Sequence, residues 1–368
     1  MSRARVTLSD LARELQLSTC TVSKILNRSF AGASYSAETI RRVEACARKR
    51  GYAANAQARS LRLRRTMMVG FLLPSARVAT FGALTDQLEL ELRQHGYQLL
   101  ISHSRNDPEA EPGLVSSLIG RGIDALIWIP SRDRVEPKEV GLKPAFPVVI
   151  LDRPECTPEV PFVATDNRVA SRQLAERIAA LGHRRVVVFN APEGDRSLME
   201  RCDGLRDTFG DRLTVVNLPH RAEAAREAVG RLAGKGKKTA QPTVLVALSE
   251  PLAIGAIAGL RDHGLRIPED FSFAAFDDFP LAAHWSPRLT AVRQDIGALA
   301  RESVALLLRR IAAPGDRFAD VRVGAEIRWR ESVQAVATPA TLHNSKKSAS
   351  KTLSTCQAPL AGGEFTPL

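Results

Sequence analysis

Val6-Thr-Leu-Ser-Asp-Leu-Ala-Arg-Glu-Leu-Gln-Leu-Ser-Thr-Cys-Thr-Val-Ser-Lys-Ile-Leu-Asn27 decides how the chain is read. Thr7 and Asp10 have the spacing of an N-terminal capping pair, and Leu8, Leu11, Ala12 and Leu15 recur on one helical face. A break at Gln16 and Leu17 follows. Ser18 then caps a second helix in which Val22, Ile25 and Leu26 face inward. Thr19, Cys20, Ser23, Lys24 and Asn27 are left outward, a face that suits the major groove of DNA. Ser36 opens a third helix with Ile40, Val43 and Ala47 on one side, and Gly51 stops it.

Charge follows the same division. Of the 368 residues, the first 65 hold 14 Lys or Arg against 4 Asp or Glu, whereas residues 66 to 337 hold 35 of each. The formal net charge of +12 therefore sits mainly on the opening sixth of the chain, where a phosphate backbone would be met. The five cysteines are scattered without a CxxC pair, so neither a disulfide framework nor a zinc site is expected. No run approaches the ~18 apolar residues of a membrane span and no apolar leader precedes the capping residues; a cytoplasmic protein without membrane association is expected.

The opening stretch, in particular Leu17-Ser-Thr-Cys-Thr-Val-Ser-Lys-Ile-Leu-Asn27, resembles the helix-turn-helix of the lactose-repressor and galactose-repressor family of bacterial transcription regulators. The resemblance continues through Gly51-Tyr52, Asn55, Ala58-Arg59-Ser60-Leu61, Gly264-Leu265-Arg266-Ile267-Pro268-Glu269-Asp270, Phe276-Asp277-Asp278 and Leu289-Thr290-Ala291-Val292-Arg293-Gln294. It implies a helix-turn-helix headpiece over residues 1–52, a hinge helix and linker over 53–65, and a two-lobed effector-binding and dimerisation core over 66–337. Residues 338–368, polar, basic and rich in Pro and Gly, read as a disordered tail, and their leucines lack heptad spacing.

In the core, apolar runs alternate with helical periods: 68–73, 98–101, 125–129, then 184–189, 244–247 and 271–276. Such alternation means parallel sheets covered on both faces. The fold class expected is thus a small all-α headpiece joined to an α/β core of two lobes, similar to periplasmic sugar-binding proteins. In open parallel sheets a ligand sits beyond the carboxyl ends of the strands.

Asp152, Ser249 with Glu250, and Asp277 fall at such ends, and carboxylates hold polyol hydroxyls well. The resemblance assigns Asp152, Arg201, Ser249, Asp277 and Gln294 to the effector; Phe81 and Trp285 are each candidates to stack on a sugar, with core or subunit-contact packing the equal alternative. Where the family usually shows Asn-Asp, this chain has Ser249-Glu250. On the DNA side, Thr19, Cys20 and Lys24 are candidates for base edges, Ser18, Thr21, Ser23 and Asn27 lie nearer the phosphates, and Thr7 is a further DNA-binding candidate. Asn55, Arg59, Ser60 and Leu61 match the minor-groove hinge, although Ala54 stands where the family usually has Pro.

The chain then reads as a sequence-specific repressor that binds a palindromic operator as a homodimer and responds to a small sugar-like effector, without a cofactor. A sugar-binding receptor or an enzyme on the same core is the competing reading. Gly234-Lys-Gly-Lys-Lys-Thr239 lacks the GxxxxGK[ST] spacing, there is no GxSxG elbow, and nothing beside Asp277-Asp278 supports turnover. A hinge helix of about two turns is marginal by itself, below the ~12 residues an isolated helix needs, so its leucine gains most by wedging between base pairs. Leu61→Ala is expected to weaken operator binding and reduce DNA bending in an energy-transfer assay, with ligand binding to the core unchanged; unaltered bending would make the hinge a passive tether.

Overall fold

The computed structural model describes residues 6–26, 34–52, 65–191, 195–233 and 244–336. The expectations placed on Asn27, on Asn55, Arg59, Ser60 and Leu61, and on the tail from residue 338 lie outside these described residues.

The headpiece is three helices, α1 (Leu8–Leu15), α2 (Thr19–Leu26) and α3 (Ala37–Lys49). Thr7 and Asp10 form the reciprocal capping box: the Asp10 amide donates to Thr7 Oγ1 at 3.3 Å and the Thr7 amide to Asp10 Oδ2 at 2.9 Å. Gln16 turns the chain with a left-handed φ of 54°, and the Thr21 amide donates to Ser18 Oγ at 3.0 Å, so α2 starts one short turn after α1 ends. Leu11, Leu15, Val22, Ile25, Val43 and Ala47 are buried together at the centre. Gly51, at φ +62°, closes α3 in the conformation that only glycine adopts without strain.

The remaining chain builds two six-stranded sheets. The first contains β1 (Met68–Leu73), β2 (Gln98–His103), β3 (Ala125–Trp128), β4 (Val148–Leu151), β5 (Phe162–Thr165) and β11 (Val321–Val323), in the order β11-β5-β4-β3-β1-β2, all parallel. The second contains β6 (Val186–Asn190), β7 (Leu213–Asn217), β8 (Val244–Ala247), β9 (Ser272–Phe276), β10 (Thr290–Gln294) and β12 (Ala325–Arg328), in the order β12-β10-β9-β8-β6-β7. Its edge strand β12 is antiparallel to β10, a departure from uniformly parallel sheets. Strands β3, β4, β8 and β9 are buried along their whole length, which is why their sequences are unbroken apolar runs.

The lobes are not consecutive halves of the chain. After β5 the backbone leaves the first lobe, and helix Asn167–Ala180 packs into the second through Ala170, Leu174 and Ile178. After β10 it returns, and helix Ile296–Ala312 packs on the first lobe through Leu299, Val304 and Leu307. Between β11 and β12 it crosses again. The crossings are stitched to each other: Thr165 Oγ1 donates to Gln294 Oε1 at 2.5 Å, and the Asp166 amide to the Val323 carbonyl at 2.8 Å. Among the described residues no helix is long and apolar enough to cross a membrane.

Helices Asn167–Ala180 and Arg196–Phe209 meet at Gly204, where a Cβ would lie 2.3 Å from the Arg168 carbonyl oxygen and 2.8 Å from Ser171 Cβ. Backbone atoms cannot yield locally to such an overlap. Gly204→Ala is therefore expected to destabilise the protein by ~1–3 kcal/mol, the usual range for overpacking, measured by urea unfolding. A variant as stable as the wild type would show that the two helices separate without cost.

Candidate functional site

The polar face of α2 is presented at its N-terminal end. Ser18, Thr19 and Cys20 are exposed, Thr21, Ser23 and Lys24 are half-buried, and Val22 and Ile25 are in the core. The helix carries no acidic residue, and its first amides point out of its N-terminus with the positive end of the helix dipole. Ser18 Oγ also lies 2.9 Å from Thr21 Oγ1, and Thr7 is exposed at the N-terminus of α1. The arrangement offers hydroxyls, a thiol and an ammonium along one side of the headpiece.

A second cluster lies where the two lobes meet. Asp152 follows β4, Ser249 follows β8, Asp277 follows β9, and Gln294 is the last residue of β10; Arg201 reaches them from helix Arg196–Phe209. All five are at most 5% exposed. Asp152 and Asp277 adopt φ of +67° and +74°, a left-handed conformation uncommon outside glycine, at equivalent strand ends in the two sheets.

Arg201 organises the cluster. Its Nε donates to Asn167 Oδ1 at 2.9 Å, and its Nη1 to the Leu248 carbonyl at 2.9 Å and to Asp277 Oδ2 at 3.5 Å. The guanidinium carbon lies 3.8 Å from the Phe276 ring centre, so the plane is fixed by stacking as well. Gln294 Nε2 donates to Asp277 Oδ1 at 2.6 Å while its Oε1 accepts from Thr165. Asp277 is thus held from both sides and does not cap the following helix.

Other side chains join across the lobes. Arg153 pairs with Asp195 at 2.7 Å, Arg196 with Glu155 at 2.8 Å, and Arg322 with Glu200 at 2.9 Å. The Ser197 hydroxyl donates to the Asp152 carbonyl, and the Ala79 amide donates to Glu250 Oε2 at 2.7 Å. Ser249 Oγ meets His220 Nε2 at 2.9 Å. Phe81, two residues beyond Ala79, is partly buried against the core of the first lobe, and Trp285 is partly buried against that of the second.

The expected residues Asp152, Arg201, Ser249, Asp277 and Gln294 therefore belong to one buried region, with Phe81 at the adjoining helix start. Asn167, Arg153, Asp195, Ser197 and His220 belong to it too and were not singled out from sequence. Arg153 directly follows Asp152, and Asp195 to Ser197 begin the helix that carries Arg201; that adjacency was the available signal. Asn167 and His220 sit in ordinary turn contexts and become visible only once the crossings are folded.

Burial pushes the Asp152 carboxyl up to about 6; Arg153 and Arg201 oppose the rise, and Asp195 and Asp277 add to it. Burial also lowers the proton affinity of His220, and it raises that of Glu250. Carboxylates that accept hydroxyl protons, an arginine whose Nη2 makes none of the bonds above, and a neutral imidazole are suited to a neutral polyhydroxylated molecule.

The folded Asp152 binds its proton more tightly than the unfolded side chain does. Its contribution to stability is complete below about pH 4, the ordinary carboxyl value, and is lost as pH rises through about 6. Asp152→Asn removes the buried charge, so the variant is expected to exceed the wild type by up to ~3 kcal/mol in urea unfolding at pH 7.5, with the difference vanishing near pH 4. Equal stabilities at pH 7.5 would remove the burial cost.

Comparison with known proteins shows what the chain is similar to. A periplasmic binding protein-like domain model matches residues 175–333. Catabolite control protein A of Priestia megaterium is 27% identical over 310 residues, 80% of this chain and 90% of that protein. The HTH-type transcriptional repressor PurR of Klebsiella pneumoniae is 26% identical over 340 residues, 89% of this chain and 96% of that protein. Two solved structures share the fold. The lac repressor dimer bound to operator and the anti-inducer ONPF has a TM-score of 0.74 at 21% identity, covering 90% of this chain and 100% of that one. A LacI family transcriptional regulator from Enterococcus faecium with bound ribose has a TM-score of 0.64 at 22% identity, covering 73% and 100%. These sequence relatives are transcription regulators and not enzymes, and they align with 80% and 89% of this chain, which is similar to the lactose-repressor and galactose-repressor family of bacterial transcription regulators.

Proposed function

We propose that the protein is a ligand-responsive repressor that binds a palindromic operator as a homodimer and takes a sugar or related polyol between the lobes of its core. The observation that carries this reading is the cluster around Arg201 and Asp277, which is tied through Gln294 and Thr165 to two of the strands by which the chain crosses between lobes. The ribose-bound neighbour supports the effector class, and the operator-bound dimer supports the assembly.

The chemistry works in steps. A polyol held by Arg201 and Asp277 on one lobe and Asp152 on the other shifts the balance of the ion pairs that span the lobes, and hence their relative orientation. The first lobe receives the linker directly: the Thr66 amide donates to Asp124 Oδ1 at 2.9 Å, and Arg65 Nη2 to the Ile311 carbonyl at 3.3 Å. Rotation of that lobe moves the point where the linker emerges. In a dimer it alters the spacing of two headpieces, and with it the fit to two half-sites.

The test uses the full chain and a form lacking residues 1–65, with a family-type palindromic duplex followed by fluorescence anisotropy. The full chain is expected to bind with affinity falling steeply as salt is raised, because phosphate-bound counterions are released, and the shortened form is expected to lose binding. Arg201→Ala should keep duplex affinity and abolish the shift that an active sugar produces in the wild type. DNA binding by the shortened form, or a full sugar response in Arg201→Ala, would overturn the corresponding half of the proposal.

A further inference from the structure

A cavity of about 400 Å³ opens on the first lobe, at the end of the sheet opposite the cleft. Val148 at its wall is the first residue of β4, whereas Asp152 in the cleft lies just past the last; the length of a strand separates the two sites. The cavity belongs instead to the end where the linker arrives, because Ile311, whose carbonyl accepts from Arg65, directly follows the cavity residue Arg310.

Arg310 is the feature that demands an explanation. The residue is 8% exposed, its Nε is buried without a hydrogen-bond partner, and among the described residues no acid pairs with it. Burial lowers its proton affinity and no carboxylate opposes the effect. A guanidinium in that state is costly, because an ion withdrawn from water is stabilised only by a partner. Ordinary packing at the end of a helix would be met by leucine or methionine at no such cost.

The walls define what could pair with it. Leu142, Phe146, Val148 and Val160 supply apolar surface, and prolines 137, 144 and 158 stiffen the rim. The rim charges largely balance: Glu136 is engaged by Lys138 at 2.6 Å, and Glu159 and Lys143, of opposite charge, both line the cavity. A multiply charged phosphate would meet those two glutamates, whereas a single carboxylate needs only the planar fork of Arg310, which matches it in two parallel hydrogen bonds. The volume is within the ~300–1,000 Å³ of small-molecule sites.

We infer that this cavity is a second small-molecule site, specific for a monocarboxylate with an apolar or aromatic body, whose carboxylate pairs with Arg310. The inference is independent of the reading of the inter-lobe cleft. Because the site adjoins the contact between Arg65 and Ile311, its occupancy acts on the linker from the first lobe alone.

Phenylacetate serves as the probe and phenylacetamide as its neutral counterpart, titrated by calorimetry into the full chain. Phenylacetate is expected to bind at least tenfold more tightly than the amide, and Arg310→Gln to lose at least tenfold of that affinity while keeping the wild-type circular dichroism spectrum. Val160→Phe, which narrows the cavity but retains the charge, is expected to weaken binding as well, and it decides the matter if Arg310→Gln fails to fold. Arg201→Ala, in the cleft, should leave phenylacetate binding unchanged. No detectable binding, equal affinity for acid and amide, or loss of binding in Arg201→Ala in place of the cavity variants would overturn the assignment.

Discussion

The desolvated guanidinium of Arg201 is the constraint on which the inter-lobe region depends. An arginine buried to 4% exposure is tolerable only if most of its donors are met and its charge is answered. Asn167 at a helix start, the Leu248 carbonyl after β8, and the Phe276 ring with Asp277 at the end of β9 meet those demands. One side chain therefore fixes the relative positions of two helices and the ends of two strands. Gln294 extends the network to Thr165, so the same bonds that hold the charge also hold two of the inter-lobe crossings.

Two packed lobes are joined by a few strands tied to each other at the crossings. Within each lobe the cores are fully buried and closely packed, and Gly204 shows how little slack the helix pair carrying Asn167 and Arg201 possesses. Between the lobes the contacts are of another kind: ion pairs such as Arg196 with Glu155 and Arg322 with Glu200, both partly in water, are individually weak and exchange readily. The pair of Arg153 and Asp195 is buried and stronger. The crossings are where a change of lobe orientation would have to be taken up.

The left-handed turns at Asp152 and Asp277 show stability yielded to a site. Each places an acid, where glycine would be easier, at the end of a buried strand, and Asp152 is further penalised by the loss of solvent. Neither feature is needed to close a parallel sheet. Both become intelligible if the carboxylates are held ready for hydroxyl groups that arrive from outside. Arg310 is a comparable expense at the opposite end of the first lobe, set among apolar walls in place of acids.

Much of this was legible in the residues themselves. The capping box at Thr7 and Asp10, the Ser18 and Ser36 caps and the apolar faces of α1 to α3 are local facts, set by hydrogen bonding within four residues, and they read directly as a headpiece. The central strands read as apolar runs because both faces of a parallel sheet are buried. Strands β7, β11 and β12 did not, since they are short or half-exposed edge strands whose pairing depends on neighbours distant in sequence. The likeness to a known family pointed to Asp152, Arg201, Ser249, Asp277 and Gln294, whereas Asn167, His220 and Asp195 gained meaning only when folding brought them to partners 34, 29 and 42 residues away, and Arg310 only when its helix packed beside residues 136–160. Local sequence determined the elements, because caps and periodicity act over a few residues; the tertiary structure decided which polar groups lose water together, because burial is a property of the assembled lobes.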